Sequence, residues 1–283
     1  MAKITTITET IRPVLVNIIS ESPSRNNLFK RNLLKEYLQI VVLDFIYSHP
    51  VYSGLLFYGG SALAHCFDLQ RLSEDLDFVD ETKKVKPAEL ARDLEDYFRK
   101  RTDLPVKTTV QTFRVYLKFP ILRDLGLSTR EETDDLFLKV EVYSEFDFCE
   151  SYKTDIRPVF KYNRSVLIKT LDTSTLMATK IRAILFRKWE KTDKRGNTTV
   201  KVKGRDYFDL LWYLQKGIRP NLSCIEGFET MHDLKEKLLE MVARIDGRSI
   251  QLDLEALIAN PGFVTNLSKN MKAILEREIL ERL

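Results

Sequence analysis

The sequence predicts an α+β fold: a mixed sheet flanked by helices, followed by a helical C-terminal half. Two observations carry this. Up to about residue 170, stretches with apolar residues at helical spacing alternate with short apolar or alternating stretches of strand length. Beyond that point the patterns are mainly helical.

Leu33, Leu34, Tyr37, Leu38, Val41, Val42 and Phe45 recur at helical spacing and predict an amphipathic helix over 28–47. His49-Pro50 closes it, because the residue before proline is pushed out of helical geometry. A strand over 54–58, a helix over 60–69 and a second strand over 75–79 follow. Pro87 suits a helix start, and Leu90, Leu94 and Phe98 carry that helix to about residue 100. One strand is expected over 106–119 and another over 136–143, joined by a polar loop with the acidic run Glu131–Asp135. Residues 157–161 and 165–169 read as two short strands.

In the second half, Asp172 or Ser174 can cap a helix reaching about residue 188. Residues 191–204, with Gly196-Asn197 and Gly204, read as a loop or short hairpin. A helix over 205–216 stops at Gly217 and Pro220. Leu234, Leu238, Val242 and Ile245 mark a third helix, and 267–283 a fourth. No Pro/Gly/Ser-rich linker interrupts the chain near residue 170. The expected division is therefore an α/β domain with N-terminal helices over 1–170, packed against a helical domain over 171–283 that completes one cleft.

With 283 residues the chain can bury a substantial core. Its 44% hydrophobic and 30% charged residues exclude a disordered or low-complexity class. No apolar run approaches the ~20 residues of a membrane helix, since 40–47 is broken by Asp44. The start MAKITTITET lacks an apolar signal core, so no membrane partner and a cytoplasmic location are expected. Cys66, Cys149 and Cys224 are odd in number and far apart, so neither a disulfide framework nor a zinc site is expected. His65, on the helix after Gly60, reads as a packing residue. The net charge of +4 is small but uneven. Arg187, Lys188, Lys191, Lys194, Arg195, Lys201, Lys203 and Arg205 face only Glu190 and Asp193 between them. Such a segment attracts phosphates, or is simply a charged loop.

The stretch FYGGSALAHCFDLQRLSEDLDF, residues 57–78, carries the chemistry. An apolar strand ends in Gly59-Gly60-Ser61, and after 13 intervening residues comes Asp75-Leu76-Asp77. On a strand Asp75 and Asp77 project from one face, their Cβ atoms roughly 6–7 Å apart. Two carboxylates so placed suit Mg²⁺, which takes oxygen ligands and usually only one or two protein carboxylates beside phosphates. The Gly-Gly-Ser turn offers backbone N–H groups and a hydroxyl at a helix start, which suits phosphate oxygens. Together they point to phosphoryl or nucleotidyl transfer.

Apolar-Gly59-Gly60-Ser61, the spacer and Asp75-Leu76-Asp77-Phe78 resemble the signature of the DNA polymerase beta-like nucleotidyltransferase superfamily. Arg71-x-Ser73-x-Asp75-Leu76-Asp77-Phe78, with Lys180 to Arg187 and Arg205-Asp206-Tyr207-Phe208-Asp209-Leu210, is most similar to its AbiEii/AbiGii branch, the toxins of type IV toxin–antitoxin pairs. The resemblance spans about residues 28–216. It implies a polymerase beta-like domain, with Asp75 and Asp77 holding Mg²⁺ or Mn²⁺ on an NTP and Gly59, Gly60 and Ser61 binding its phosphates. Glu141, in the alternating Lys139-Val140-Glu141-Val142, becomes the candidate third metal carboxylate.

By the same resemblance Lys180 supplies a catalytic cation and Asp206 is the functional aspartate, with Asp209 pairing structurally with Lys180 or Arg205. Arg187 shares a helix face with Lys180, about 10 Å along the axis at 1.5 Å per residue, and is expected to reach the nucleotide or acceptor. Arg71 either touches phosphate or braces its loop. Ser73 is expected near the phosphates, so that phosphorylating it would repel the triphosphate. The implied protein is a toxin that adds nucleotides to an RNA, the tRNA 3′ end, and blocks translation, with a cognate antitoxin as partner. Two alternatives stay open: the same transfer to a protein side chain or a small molecule such as an aminoglycoside-type antibiotic, or a non-catalytic nucleotide-binding protein.

Overall fold

The computed structural model describes residues 9–22, 25–129, 131–144, 146–187, 191–192, 198–200 and 202–283. They divide into two compact units. The first comprises Met1–Cys66, Leu72–Glu145 and Ile156–Lys169; the second comprises Phe67–Arg71, Phe146–Asp155 and Thr170–Leu283.

In the first unit, α1 (Arg12–Ser20) precedes α2 (Asn27–Ser48). The Asn26 side chain accepts from the Phe29 N–H and so starts α2, while His49, in extended geometry before Pro50, ends it. Leu34, Leu38, Val41 and Val42 on α2 are fully buried. β1 (Leu56–Tyr58), α3 (Gly59–Cys66), β2 (Asp75–Val79) and α4 (Pro87–Arg101) follow. α3 stops three residues short of the expected end, as Asp68 adopts a left-handed turn at φ 59°.

The single strand expected over 106–119 is two: β3 (Lys107–Gln111) and β4 (Arg114–Pro120). Thr112, at φ 41°, folds the chain back on itself between them, a turn that alternation in the sequence does not mark. β5 (Asp135–Tyr143) precedes the hairpin of β6 (Thr154–Lys161) and β7 (Arg164–Leu171), closed by left-handed Tyr162 and Asn163.

Among the described residues these strands form one mixed sheet in the order β3-β4-β5-β2-β1-β7-β6. β1 runs antiparallel to β2, β2 parallel to β5, and β5 antiparallel to β4. Because side chains alternate across a strand, Leu76, Phe78 and Val140 enter the core with α2 and α4, whereas Asp75, Asp77 and Glu141 take the other face. Each buried leucine or phenylalanine contributes about 1.5–3 kcal/mol, so this apolar face fixes the register that aligns the acids.

The second unit contains α5 (Thr173–Phe186), the short strands β8 (Lys191–Thr192) and β9 (Thr198–Val200), and helices α6 (Gly204–Gln215), α7 (Met231–Ala243), α8 (Gly247–Leu254) and α9 (Pro261–Arg282). Side chains of Asp172, Thr230, Asp246 and Asn260 cap α5, α7, α8 and α9. β8 and β9 pair antiparallel, while residues 193–197 and 201 of the expected loop or hairpin lie outside the described residues. At Gly204 a Cβ would lie 2.8 Å from the Ile250 Cα, so the start of α6 lies against the α8 backbone.

One expectation is corrected. Cys149 and Cys224, 75 residues apart, form a disulfide within this unit, and Cys66 takes no part in it. The pairing is made by the loop 146–155 folding onto residues 221–224, where Asn221 Nδ2 and Ser223 Oγ donate to the Ser151 carbonyl at 2.6 and 3.0 Å. Cysteine spacing alone carries no trace of such a tertiary approach.

Candidate active site

β1 passes into α3 at Gly59, whose φ of 78° belongs to the left-handed region. A Cβ there would stand 2.6 Å from Asp77 Oδ2, so the absence of a side chain is what lets the turn pass against the carboxylate. Ser61, in the first turn of α3, is fully buried, and its hydroxyl has no hydrogen-bond partner among the described residues. An orphaned buried hydroxyl in the first turn of a helix suits an acceptor such as a phosphate oxygen.

On the polar face of the sheet, Asp77 stands in register with Tyr58 on one side and Glu141 on the other, and Asp75 with Lys139. Lys139 Nζ lies 3.0 Å from both Asp75 Oδ2 and Glu141 Oε1. Arg114, opposite Glu141 on β4, approaches Glu141 Oε1 at 2.6 Å, and Tyr143 donates its hydroxyl to Oε2. Burial, then the charges of Asp75 and Glu141, push the Asp77 carboxyl up to about 7. Burial also works against ionised Glu141, but hydrogen bonds from Tyr143 and Lys139 and the nearby cations outweigh it and hold its pKa below the ordinary value. Lys139 is raised, since Asp75 and Glu141 overcome the cost of its burial.

The expected third carboxylate is thus beside Asp77, yet it is engaged by Arg114, Lys139 and Tyr143. Among the described residues no three His, Cys, Asp or Glu side chains converge as a metal-binding group. A divalent ion fits here nonetheless. The donors are all carboxylate oxygens, the choice of a hard cation, and burial with the charges of Asp75 and Glu141 raises Asp77 in spite of Lys139, so a further cation would favour its ionised form. The Lys139 ammonium between Asp75 and Glu141 occupies the position of such a charge.

Ser73 lies on the loop before β2 and is 9% exposed. Its carbonyl accepts from Gln39 Nε2 at 3.0 Å, and Gln39 Oε1 meets His65 Nε2 at 2.9 Å. His65 is buried, as expected of a packing residue, and burial, aided by the Lys161 charge, pushes its pKa down to about 3.

The second unit holds a separate charged cluster. Lys180 on α5 places Nζ 2.8 Å from both Asp206 Oδ1 and Asp209 Oδ2, one turn apart on α6. Arg187, just past α5, approaches Asp206 Oδ2 at 3.7 Å. Arg71 donates from Nε and Nη2 to the two oxygens of Asp209, each at 2.6 Å. Burial works against an ionised Asp206, but Lys180 and Lys203 outweigh it and bring its pKa down to about 2. Burial likewise opposes the Lys180 charge, and Asp206 and Asp209 override it. Burial and Arg205 push Lys203 down to about 8. Arg187, Lys203, Asp206 and Tyr207 line a small cavity beside this cluster.

Lys180, Asp206, Asp209 and Arg187 therefore come together as one group. Arg205 instead pairs with Asp253. Of the basic run, Lys188, Lys194, Arg195, Lys201 and the Lys191 side chain, with Glu190 and Asp193, lie outside the described residues. Sequence reading assigned no role to Lys139, Arg114 or Tyr143. Alternation along β5 marks Lys139 and Tyr143 as sharing the Glu141 face, but nothing local marks Arg114.

A family model described as "Nucleotidyl transferase AbiEii toxin, Type IV TA system" matches residues 46–280. Among solved structures, one described as a candidate nucleotidyltransferase from H. pylori aligns at 16% identity and a TM-score of 0.46, covering 88% of this chain and 96% of that one. JHP933 from Helicobacter pylori aligns at 16% identity and a TM-score of 0.47, covering 88% of this chain and 94% of that one. A comparison with curated proteins finds no match.

Proposed function

Because the chain belongs to the AbiEii family of type IV toxin–antitoxin nucleotidyltransferases, we propose that it moves a nucleotide from an NTP to the 3′ end of a tRNA and so blocks translation. A cognate antitoxin is its expected partner. The observation that carries the assignment of the site is the register of Asp75, Asp77 and Glu141 on one sheet face, with Asp77 pushed up to about 7 by burial and by the other two.

Asp75 and Asp77 are the residues that would hold Mg²⁺. When bound, the ion offsets triphosphate charge and stabilises the leaving pyrophosphate. Glu141, kept ionised by Arg114, Lys139 and Tyr143, adds negative potential beside Asp77. The Ser61 hydroxyl and the first amides of α3 receive the β- and γ-phosphates, and Gly59 keeps that turn against Asp77. Lys180 uses two of its three N–H donors on Asp206 and Asp209, which leaves the third for an anionic oxygen. The acceptor 3′ hydroxyl gives its proton to water as its oxygen bonds to the α-phosphorus, and the bond from the α-phosphorus to the oxygen of the β-phosphate breaks as pyrophosphate departs. The basic segment 187–205 supports a polyanionic acceptor.

The test supplies each labelled NTP with Mg²⁺ to three acceptors: intact tRNA, tRNA whose terminal diol has been oxidised by periodate, and a protein mixture. Label on intact tRNA alone supports the proposal. Label on protein assigns the same chemistry to side chains, and equal label on oxidised tRNA excludes the 3′ end.

A further inference from the structure

We propose that Arg71 and Asp209 are positioning residues for Lys180: the guanidinium clamps Asp209, and Asp209 with Asp206 aims the ammonium. The inference rests on the role given to Lys180 above and assigns Arg71 to bracing rather than to nucleotide contact.

Three observations converge. First, the Arg71 and Asp209 side chains are 1% and 0% exposed, an interior pair and not a surface ion pair. Second, the contact is two-pronged, Nε to Oδ1 and Nη2 to Oδ2 at 2.6 Å each. A planar fork on a carboxylate fixes orientation as well as distance, which a lone ammonium cannot do. Third, Asp209 Oδ2 is shared: it accepts from Arg71 and lies 2.8 Å from Lys180 Nζ. Turning the carboxylate turns the ammonium.

The charges explain why two acids are needed. Lys180 is 11% exposed at its side chain, and burial works against its charge. Asp206 and Asp209 together keep it an ammonium. Asp209 in turn is a fully buried anion, and a buried charge persists only when paired. Arg71 supplies that pairing, so Asp209 can hold Lys180 without drawing it fully out of reach of Asp206. Arg71 also closes the short segment Phe67–Arg71 that belongs to this unit, and the chain returns to the acidic strand only four residues later, at Asp75.

Two variants test this. Arg71→Lys keeps the charge and loses the fork; Asp209→Asn keeps the shape and loses the charge. The first readout needs no activity. It is the acylation rate of Lys180 by an amine-selective reagent, followed peptide by peptide by mass spectrometry, with Lys272 on α9 as the internal reference. Both variants are expected to speed labelling of Lys180 about fivefold or more, Arg71→Lys because the amine is no longer held by a fixed carboxylate and Asp209→Asn because it also loses one of the two charges that raise its pKa, and to leave Lys272 unchanged. An unchanged Lys180 rate overturns the proposal. The second readout is the kinetic split. Arg71→Lys is expected to lower kcat about tenfold or more while the NTP KM stays within about twofold. A raised KM with kcat intact would make Arg71 a nucleotide ligand and overturn the proposal. Should wild type transfer no nucleotide, the nucleotidyl-transfer reading fails, and labelling still decides the Arg71–Asp209–Lys180 linkage.

Discussion

Gly59 shows how one residue serves both the fold and the site. Its left-handed φ would cost a larger residue about 1–2 kcal/mol, and a Cβ would strike Asp77 Oδ2 at 2.6 Å. Gly59→Ala is therefore expected to cut transfer about tenfold or more by displacing Asp77, with a measurable fall in Tm. An alanine variant with wild-type kcat would show that Asp77 tolerates the shift. His65 permits a prediction about pH. Its folded pKa of about 3 lies below the ordinary 6.5, so the unfolded chain binds a proton that the folded one refuses. The stability this contributes is complete above pH 6.5 and is lost progressively as pH falls toward 3. Between pH 7.5 and 5 the His65 share of this loss should be about 2 kcal/mol, while Asp77, raised to about 7, adds stability as it takes up its proton over the same range. Urea unfolding at the two pH values checks it: the pH-dependent change in His65→Asn should differ from that of wild type by about this amount, and an equal slope in both proteins would place the proton elsewhere.

At the scale of elements, α5 depends on its start. Asp172 accepts from the Thr175 N–H at 2.9 Å, and Asp172→Ala should cost about 1 kcal/mol in denaturant unfolding. No loss would mean that tertiary packing alone sets that helix end. Elements like this were legible in advance because their signals are local. The apolar stripe of α2, the cap of α5 and the two-residue pitch of Asp75 and Asp77 all fall within a few positions of one another. The rest depends on partners far along the chain. Arg114 meets Glu141 only through the β4–β5 register, and Arg71 meets Asp209 across 138 positions. The turn at Thr112 adopts a conformation its residue type does not announce. α8 is short and begins at a glycine, so its periodicity is too brief to stand out.

At the scale of the whole molecule, each unit has its own charged centre: carboxylates with Lys139 and Arg114 in one, Lys180 with Asp206, Asp209 and Arg71 in the other. The second unit is also closed by the Cys149–Cys224 disulfide over 75 positions. Protein purified without reductant should yield a Cys149–Cys224 cross-linked peptide, with Cys66 alone alkylated. Cys149→Ser should lower stability by roughly 2–4 kcal/mol. Recovery of three alkylated cysteines would contradict the link.

The central claim is that Asp75 and Asp77 carry nucleotidyl transfer. The most direct measurement is transfer of labelled NTP to total tRNA with Mg²⁺, by wild type and by an Asp75→Ala/Asp77→Ala variant of matching circular dichroism and Tm. The account predicts label on tRNA from wild type, abolished by chelating the metal and absent with the variant. Equal labelling by the two proteins would contradict it, and would move the chemistry away from the acidic strand.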